Sequence, residues 1–277
     1  MAKQTLFTES GSPLYLQITP FIDVARVEQV EMSAGFSTKH GGESIGPYES
    51  LNLGLHTEDD PRTVVKNREK LAKAAGFQLN EMVVGEQIHS NQIKEITASD
   101  RGAGSTTLET AIKGTDGFFT KDKGVLLVSM YADCVPLYFF APKEGLVGLA
   151  HAGWKGTVGN IAGGMLKAFK EAGAHPKDVY TAIGPSISMP CYEVDERVVK
   201  QVNRLPLNAK DSVKKTRKDH YLINLKAINR DLLLAEGVQE NRVFVSTHCT
   251  YEQSDLFYSH RRDNGKTGRM MSFIGLR

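Results

Sequence analysis

The sequence predicts a single domain of the α+β class, with mixed β-sheets flanked by helices. Three observations carry this expectation. Short apolar runs bounded by small or turn-forming residues recur, as at Val125–Met130, Leu137–Phe140 and Leu146–Ala150, and such runs read as buried strands. Helical stretches with N-cap residues and terminal glycines lie between them. Neither an internal repeat nor a low-complexity linker divides the 277 residues, and strands and helices mix without a strict strand–helix–strand rhythm.

Taken in order, Leu14, Leu16 and Ile18, then Val24, Val27 and Val30, predict edge strands leading into Gly35-Phe36-Ser37. Residues Ser37–Gly54 are polar and glycine-rich, with turn signals at Gly41-Gly42 and Gly46-Pro47. This stretch reads equally as a surface loop or as an anion cradle of exposed amides with Lys39 and His40. Asp60-Pro61 opens a helix by side-chain capping and a proline at the first helical position, and Gly76 ends it. Met82–Gly85 and residues 93–97 predict strands, with His89 in the loop between them. Gly102-Ala103-Gly104 lacks the third glycine and the flanking elements of a dinucleotide fingerprint. Gly114–Gly117 predicts a turn in which Asp116 is either a turn former or a hydrogen-bonding partner of a substrate.

The stretch Tyr131–Gly156 is the most informative. It places Cys134 between two apolar runs and His151 after the next, in a turn preceding a small-residue helix from Thr157 to about Ala172. Trp154, the single tryptophan, is expected to cover a pocket. Beyond it, Val179–Ile183 predicts a strand, Glu193–Val202 a helix, Asn224 the cap of a helix ending at Gly237, and Val243–Ser246 and Met270–Ile274 late strands. Cys191 reads as a small buried hydrophobe, and the basic run Lys210–Lys218 as a solvated face.

Bulk properties bound the function. A net charge of +2 and 24% charged residues exclude a strongly basic nucleic-acid groove or membrane patch as an expectation. Three cysteines far apart argue against a disulfide framework. No signal-like pattern appears in MAKQTLFTES and no long apolar run occurs, so a cytoplasmic chain is expected. Monomer and homodimer both remain open.

From residue types alone, Cys134, His89 and His151 support three chemistries. The thiolate could be the nucleophile of a metal-free Cys–His hydrolase or amidase, with the imidazole as proton shuttle. One thiolate and two imidazoles could instead hold zinc with a fourth position open. Or all three could be satisfied structural groups.

Several motifs together carry a resemblance: Gly46-Pro47-Tyr48, Ser50–Gly54, Gln87–Ser90, Ala132–Pro136, His151–Gly156, Ile183–Pro185 and Ser259–Asp263. On these the sequence resembles, over essentially its full length, the laccase-domain family of the YfiH/YlmD type, regarded as purine nucleoside phosphorylases and formerly labelled polyphenol oxidases. The resemblance implies a mixed α/β sandwich, similar to that of bacterial deamidating toxins. It implies zinc held by His89, Cys134 and His151, and phosphorolysis of adenosine, inosine, guanosine and S-methyl-5′-thioadenosine, with adenosine deamination as a further activity. By family likeness Arg262 is a catalytic candidate, and proximity to these motifs makes Asp133 another; Asn52, Gln87, Asp116 and Lys39 are substrate-binding candidates, although Lys39-His40 stand where the family often carries arginines. Generic affinity order favours copper exchange into such a site in vitro. A multicopper oxidase would need about ten histidines in paired motifs, whereas this chain has eight, none so paired. Purine nucleosides and phosphate are the expected partners.

Overall fold

The computed structural model describes residues 6–277, so the first five residues of the stretch read for a signal lie outside the described residues. Strand β1 (Phe7–Glu9) pairs antiparallel with β2 (Tyr15–Ile18). The next segment corrects the predicted edge strand. Thr19–Val27 is a helix, α1, with Pro20 in its first turn and Phe21 and Ala25 buried one turn apart. Proline pre-set the helical φ, and the four-residue spacing outweighed the β-branched valines. Strand β3 (Met32–Ser37) follows.

Helix α2 (Pro61–Ala74) begins as expected, with the Asp60 carboxylate accepting from the Thr63 amide at 2.9 Å. Strands β4 (Met82–Val84), β5 (Ile93–Glu95), β6 (Gly117–Thr120), β7 (Val125–Tyr131), β8 (Val135–Ala141) and β9 (Leu146–Ala152) form the centre of the chain. The helix predicted from Thr157 is two helices, α3 (Trp154–Val158) and α4 (Ile161–Glu171). They break at Asn160, whose φ is +51° and whose side chain caps α4 at the Gly163 amide. Strand β10 (Tyr180–Ile183) follows. Where one helix was expected from Glu193, a short strand β11 (Glu193–Asp195) precedes α5 (Glu196–Val202), because Asp195 caps the helix by accepting from Arg197 and Val198. Strands β12 (Val213–Arg217) and β13 (His220–Ile223), helix α6 (Leu225–Ala235), and strands β14 (Val243–Val245) and β15 (Met270–Leu276) complete the order. Most of β12 is exposed, which suits its lysines.

Two six-stranded mixed sheets run β1-β2-β3-β15-β7-β4 and β14-β10-β8-β9-β6-β5, and a small sheet runs β11-β13-β12. Side-chain alternation builds the layers. From β7, Val125 and Leu127 join Tyr138 and Phe140 of β8 and Val147 and Leu149 of β9 in the core between the large sheets. The opposite residues of β7, Leu126, Val128 and Met130, pack on Leu71 and Ala72 of α2. Val135, Leu137 and Phe139 of β8 face Met165 and Phe169 of α4 and Ile228 and Leu232 of α6. The result is a helix–sheet–sheet–helix sandwich. No helix of the described residues is long and apolar enough to cross a membrane.

Candidate metal centre and its cavity

Strand register brings the chemistry to one end of the sandwich. Val135 and Pro136 at the start of β8 pair with Ala152 and His151 at the end of β9. Gly117 at the start of β6 pairs with Ala150. In the other sheet, Tyr131 at the end of β7 pairs with Met270 at the start of β15, and β4 runs parallel to β7. The two ends meet where the Tyr131 hydroxyl donates to the Ala150 carbonyl at 3.3 Å. Loops following β4 and β7 therefore deliver His89 and Cys134 to His151. Nitrogen and sulfur ligand atoms of His89, Cys134 and His151 lie within 4.8 Å of one another. The two imidazoles sit edge to face with ring centroids 4.9 Å apart. His151 remains inside β9 rather than in the following turn that the sequence predicts.

One buried carboxylate sets two of these three groups. Asp116 accepts from the amides of Ile88, His89 and Ser90 at 3.2, 3.1 and 2.7 Å, and from the Ser90 hydroxyl at 2.8 Å. Converging amides stabilise the anion and hold His89 in a left-handed conformation, φ +61°. The same carboxylate lies 2.9 Å from His151 Nδ1. That bond places a proton on Nδ1 and turns Nε2 toward the cluster, the usual outer partner of a ligating histidine. Asp116 thus has no acceptor capacity left for a substrate, which corrects its expected substrate role to one of positioning.

Asp133 supports Cys134 in the same way. It adopts φ +89°, and its carboxylate accepts from the Thr250 hydroxyl at 2.7 Å, the Ser259 hydroxyl at 3.0 Å and the Arg261 amide at 2.7 Å. The turn before β8 is thereby tied to two distant C-terminal segments. Asp133 is a positioning residue by this geometry.

Charge is redistributed within the cluster. Burial alone would raise the Cys134 thiol, but the His151 imidazolium and hydrogen bonds from both histidines pull it down to about 6. Burial would lower His151, but the Cys134 thiolate and Asp116 raise it to about 9. In metal-free protein the pair is therefore a thiolate and an imidazolium near neutrality.

The cluster opens on a cavity of about 710 Å³, well within the size range of small-molecule sites. Val84, Leu108, Ala111 and Met130 give it apolar walls. Gln87 borders it but is bound in place: its Nε2 donates to the Met130 carbonyl at 3.0 Å, and its Oε1 accepts the Met130 amide at 2.7 Å. A metal fits this donor set on a local observation. A Cβ at Gly153 would stand 3.1 Å from Cys134 Sγ and 3.1 Å from His89 Cδ2, so glycine keeps the space beside the ligands open. One thiolate and two imidazoles suit zinc, with a fourth position free.

Expectations for four other residues are corrected. Asn52 is fully buried, and its amide is spent on Thr57, Asp59 and the backbone of Gly54 and Arg269, so it shapes a loop and cannot meet a substrate. The Arg262 guanidinium donates to the Asp263 carboxylate and to the carbonyls of Thr250, Tyr251 and Phe257. Those bonds use every N–H it has, leaving none for phosphate. Lys39 and Arg262 line a separate cavity of about 700 Å³. Trp154 packs against the helical core rather than lining the metal-centre cavity.

Sequence reading missed His56, Arg68 and Arg269, which line the cavity beside the cluster. One signal was present: Arg68 sits on the apolar face of α2, four residues after Val64 and three before Leu71, all three buried. A guanidinium at a core position calls for a reason. Arg269 gave no such signal, since only its position before β15 brings it to the site. Among the described residues a second group of ligand atoms, from Cys191, Cys249 and Glu252, also lies within 4.8 Å. Cys191 is thus half-exposed in a thiol cluster, not the buried hydrophobe expected. The described cysteines are all free thiols.

Comparison with known proteins agrees with this architecture. Residues 33–277 match the profile of the family described as multi-copper polyphenol oxidoreductase laccase. Purine nucleoside phosphorylase YlmD of Bacillus subtilis is 49% identical over 248 residues, 89% of each chain. Its namesake from Geobacillus stearothermophilus is 50% identical over 246 residues, 88% of this chain and 90% of that one. The crystal structure of YlmD from Geobacillus stearothermophilus superposes with a TM-score of 0.93 at 45% identity, covering 99% of this chain and 100% of that one. The hypothetical protein YfiH of Bacillus licheniformis gives 0.93 at 40%, with the same coverage. With matched length, shared fold and near-half identity, the chain belongs to the laccase-like YfiH/YlmD family.

Proposed function

We propose that the whole chain, residues 1–277, is one catalytic domain: a cytoplasmic, zinc-dependent purine nucleoside phosphorylase. Its substrates are adenosine, inosine, guanosine and S-methyl-5′-thioadenosine, cleaved by phosphate to the base and a ribose 1-phosphate. Adenosine deamination is a second activity. The observation that carries the reading is the convergence of three zinc-type ligand atoms within 4.8 Å at the wall of one cavity. Relatives named purine nucleoside phosphorylase support the reaction class.

His89, Cys134 and His151 would hold the metal. When bound, zinc supplies Lewis acidity for negative charge developing on oxygen. The chain does the rest. Asp116 fixes the two histidines, Asp133 fixes the turn that carries Cys134, and Gly153 keeps the approach clear. The apolar wall of Val84, Ala111 and Met130 suits a purine face and excludes water from it. The test pairs metal analysis of protein purified without added metal with an adenosine-plus-phosphate assay. About one zinc per chain and formation of ribose 1-phosphate support the proposal; the absence of both would sink it.

The thiolate–imidazolium pair of Cys134 and His151 favours a second reading, a metal-free Cys–His hydrolase. One sulfur cannot serve as ligand and nucleophile together. Activity that survives exhaustive chelation and is abolished by alkylating Cys134 would establish the second reading over the first. A multicopper oxidase has less support, since no group of ligand atoms within 4.8 Å among the described residues holds more than two histidines.

A further inference from the structure

Arg68 is an unusual residue to find in a core. Its side chain is fully buried, and its Nε and Nη1 donate to the carbonyls of Leu53, Gly104 and Ser105 at 2.7–2.9 Å. Nη2 makes no hydrogen bond among the described residues, and the side chain borders the cavity that holds the metal cluster. No carboxylate of the described residues pairs with it; burial is the single influence on its charge. A buried cation that lacks a protein counter-ion needs another anion.

Arg269 faces the same cavity. Its Nη1 is held by the carbonyls of Thr267 and Gly268 at 2.7 and 3.0 Å, and its Nε and Nη2 are free among the described residues. A Cβ at Gly54 would stand 2.7 Å from Arg269 Cγ and 3.3 Å from His56 Cε1, so glycine there lets both side chains fold over the loop. Carboxylates also line the cavity: Glu86 lies 3.8 Å from Lys113 Nζ, and Glu109 is on the rim. Neither reaches the two guanidiniums.

We propose that Arg269, backed by the buried charge of Arg68, forms an oxyanion subsite for inorganic phosphate, in the same cavity as the His89–Cys134–His151 cluster. The assignment rests on the phosphorolysis reading for what the anion does, though not for its binding. The free Nε–H and Nη2–H of Arg269 match two oxygens of a tetrahedral dianion, and the buried Arg68 guanidinium adds positive charge behind the wall. Both arginines are pre-positioned by backbone carbonyls, so little side-chain order is lost when the anion arrives. Arg262, the arginine that motif reading favours, is fully committed elsewhere, while these two are not.

The test uses zinc-loaded full-length protein and the variants Arg269→Gln and Arg269→Lys. Zinc content and melting temperature are checked first, and a charge-keeping Arg68→Lys variant guards against misfolding. The expected result is a rise of about tenfold or more in KM for phosphate in Arg269→Gln, from loss of one charge-assisted contact, with partial rescue in Arg269→Lys. KM for inosine should rise far less than KM for phosphate, the split expected when an anion contact and not the whole site is lost. An unchanged KM for phosphate in a folded, zinc-replete Arg269→Gln protein overturns the subsite and leaves the phosphorylase reading intact. If the wild type shows no phosphorolysis, phosphate binding followed by ³¹P line broadening decides alone. Binding that Arg269→Gln abolishes upholds the subsite while the reaction reading fails, and no binding overturns both.

Discussion

Replacing Asp116 by asparagine tests the organisation of the site most directly. The carboxylate accepts five hydrogen bonds, three from amides of residues 88–90, one from the Ser90 hydroxyl and one from His151 Nδ1. Asparagine keeps one oxygen and turns the other into a donor. If its nitrogen faces Oδ2's partners, two amides and a hydroxyl lose their acceptor. If it faces Oδ1's partners, the His89 amide is stranded and His151 is pushed to carry its proton on Nε2, the atom needed for metal. Losing two or more charge-assisted bonds, less what relaxation recovers, costs about 2–4 kcal/mol. That corresponds to a fall in melting temperature of roughly 5–15 °C. Zinc affinity should drop about 10- to 100-fold, the range for lost outer-shell partners. Calorimetric melting of chelated protein and competition with a chromophoric chelator measure the two effects. Zinc affinity within about twofold of wild type, with unchanged melting, would refute the view that Asp116 organises the ligands.

Other expectations follow from the same geometry. In metal-free protein, iodoacetamide should alkylate Cys134 with a pH midpoint near 6 instead of near 9, and zinc should protect it; a midpoint near 9 removes the thiolate–imidazolium pair. The pair should leave stability nearly independent of pH. Cys134, lowered from 9.0 to about 6, contributes stability above pH 9 that fades as pH falls toward 6. His151, raised from 6.5 to about 9, contributes stability below pH 6.5 that fades as pH rises toward 9, so the two slopes oppose. Cys134→Ser removes the largest influence that raises His151 and leaves burial, which lowers it, opposed by Asp116 alone, so the His151 midpoint should fall below about 9 when followed by imidazole proton shifts; an unchanged midpoint would remove the Cys134 contribution. Gly153→Ala places a methyl 3.1 Å from Cys134 Sγ and should weaken zinc binding while leaving the melting temperature of chelated protein nearly unchanged. Arg262→Met should destabilise by about 2–4 kcal/mol through stranded carbonyls and an unpaired Asp263, yet retain its zinc; lost phosphate affinity in folded protein would return Arg262 to the substrate.

The class of fold, the central strands and the candidate trio His89, Cys134 and His151 could be read from the sequence. Val125–Met130, Leu146–Ala150 and the capped helices at Asp60 and Asn224 were legible because burial and capping leave local patterns. Helix α1 was not, since a proline start and a four-residue spacing competed with β-branched residues over a short stretch. Cys134, His89 and His151 were recognisable from residue type and motif. Which neighbours serve them was not. Asp116 looked like a turn or substrate residue and Asp133 like a catalytic one, whereas the fold fills both carboxylates with amides and hydroxyls. Arg262 looked like a catalytic residue because of its motif, whereas its bonding fixes it to Asp263 and three carbonyls. Tertiary structure alone brought Arg68 of α2 and Arg269, about two hundred residues later, to the wall of one cavity. Hydrogen-bond capacity is finite, and which donors remain free depends on contacts between distant segments, which local sequence does not encode.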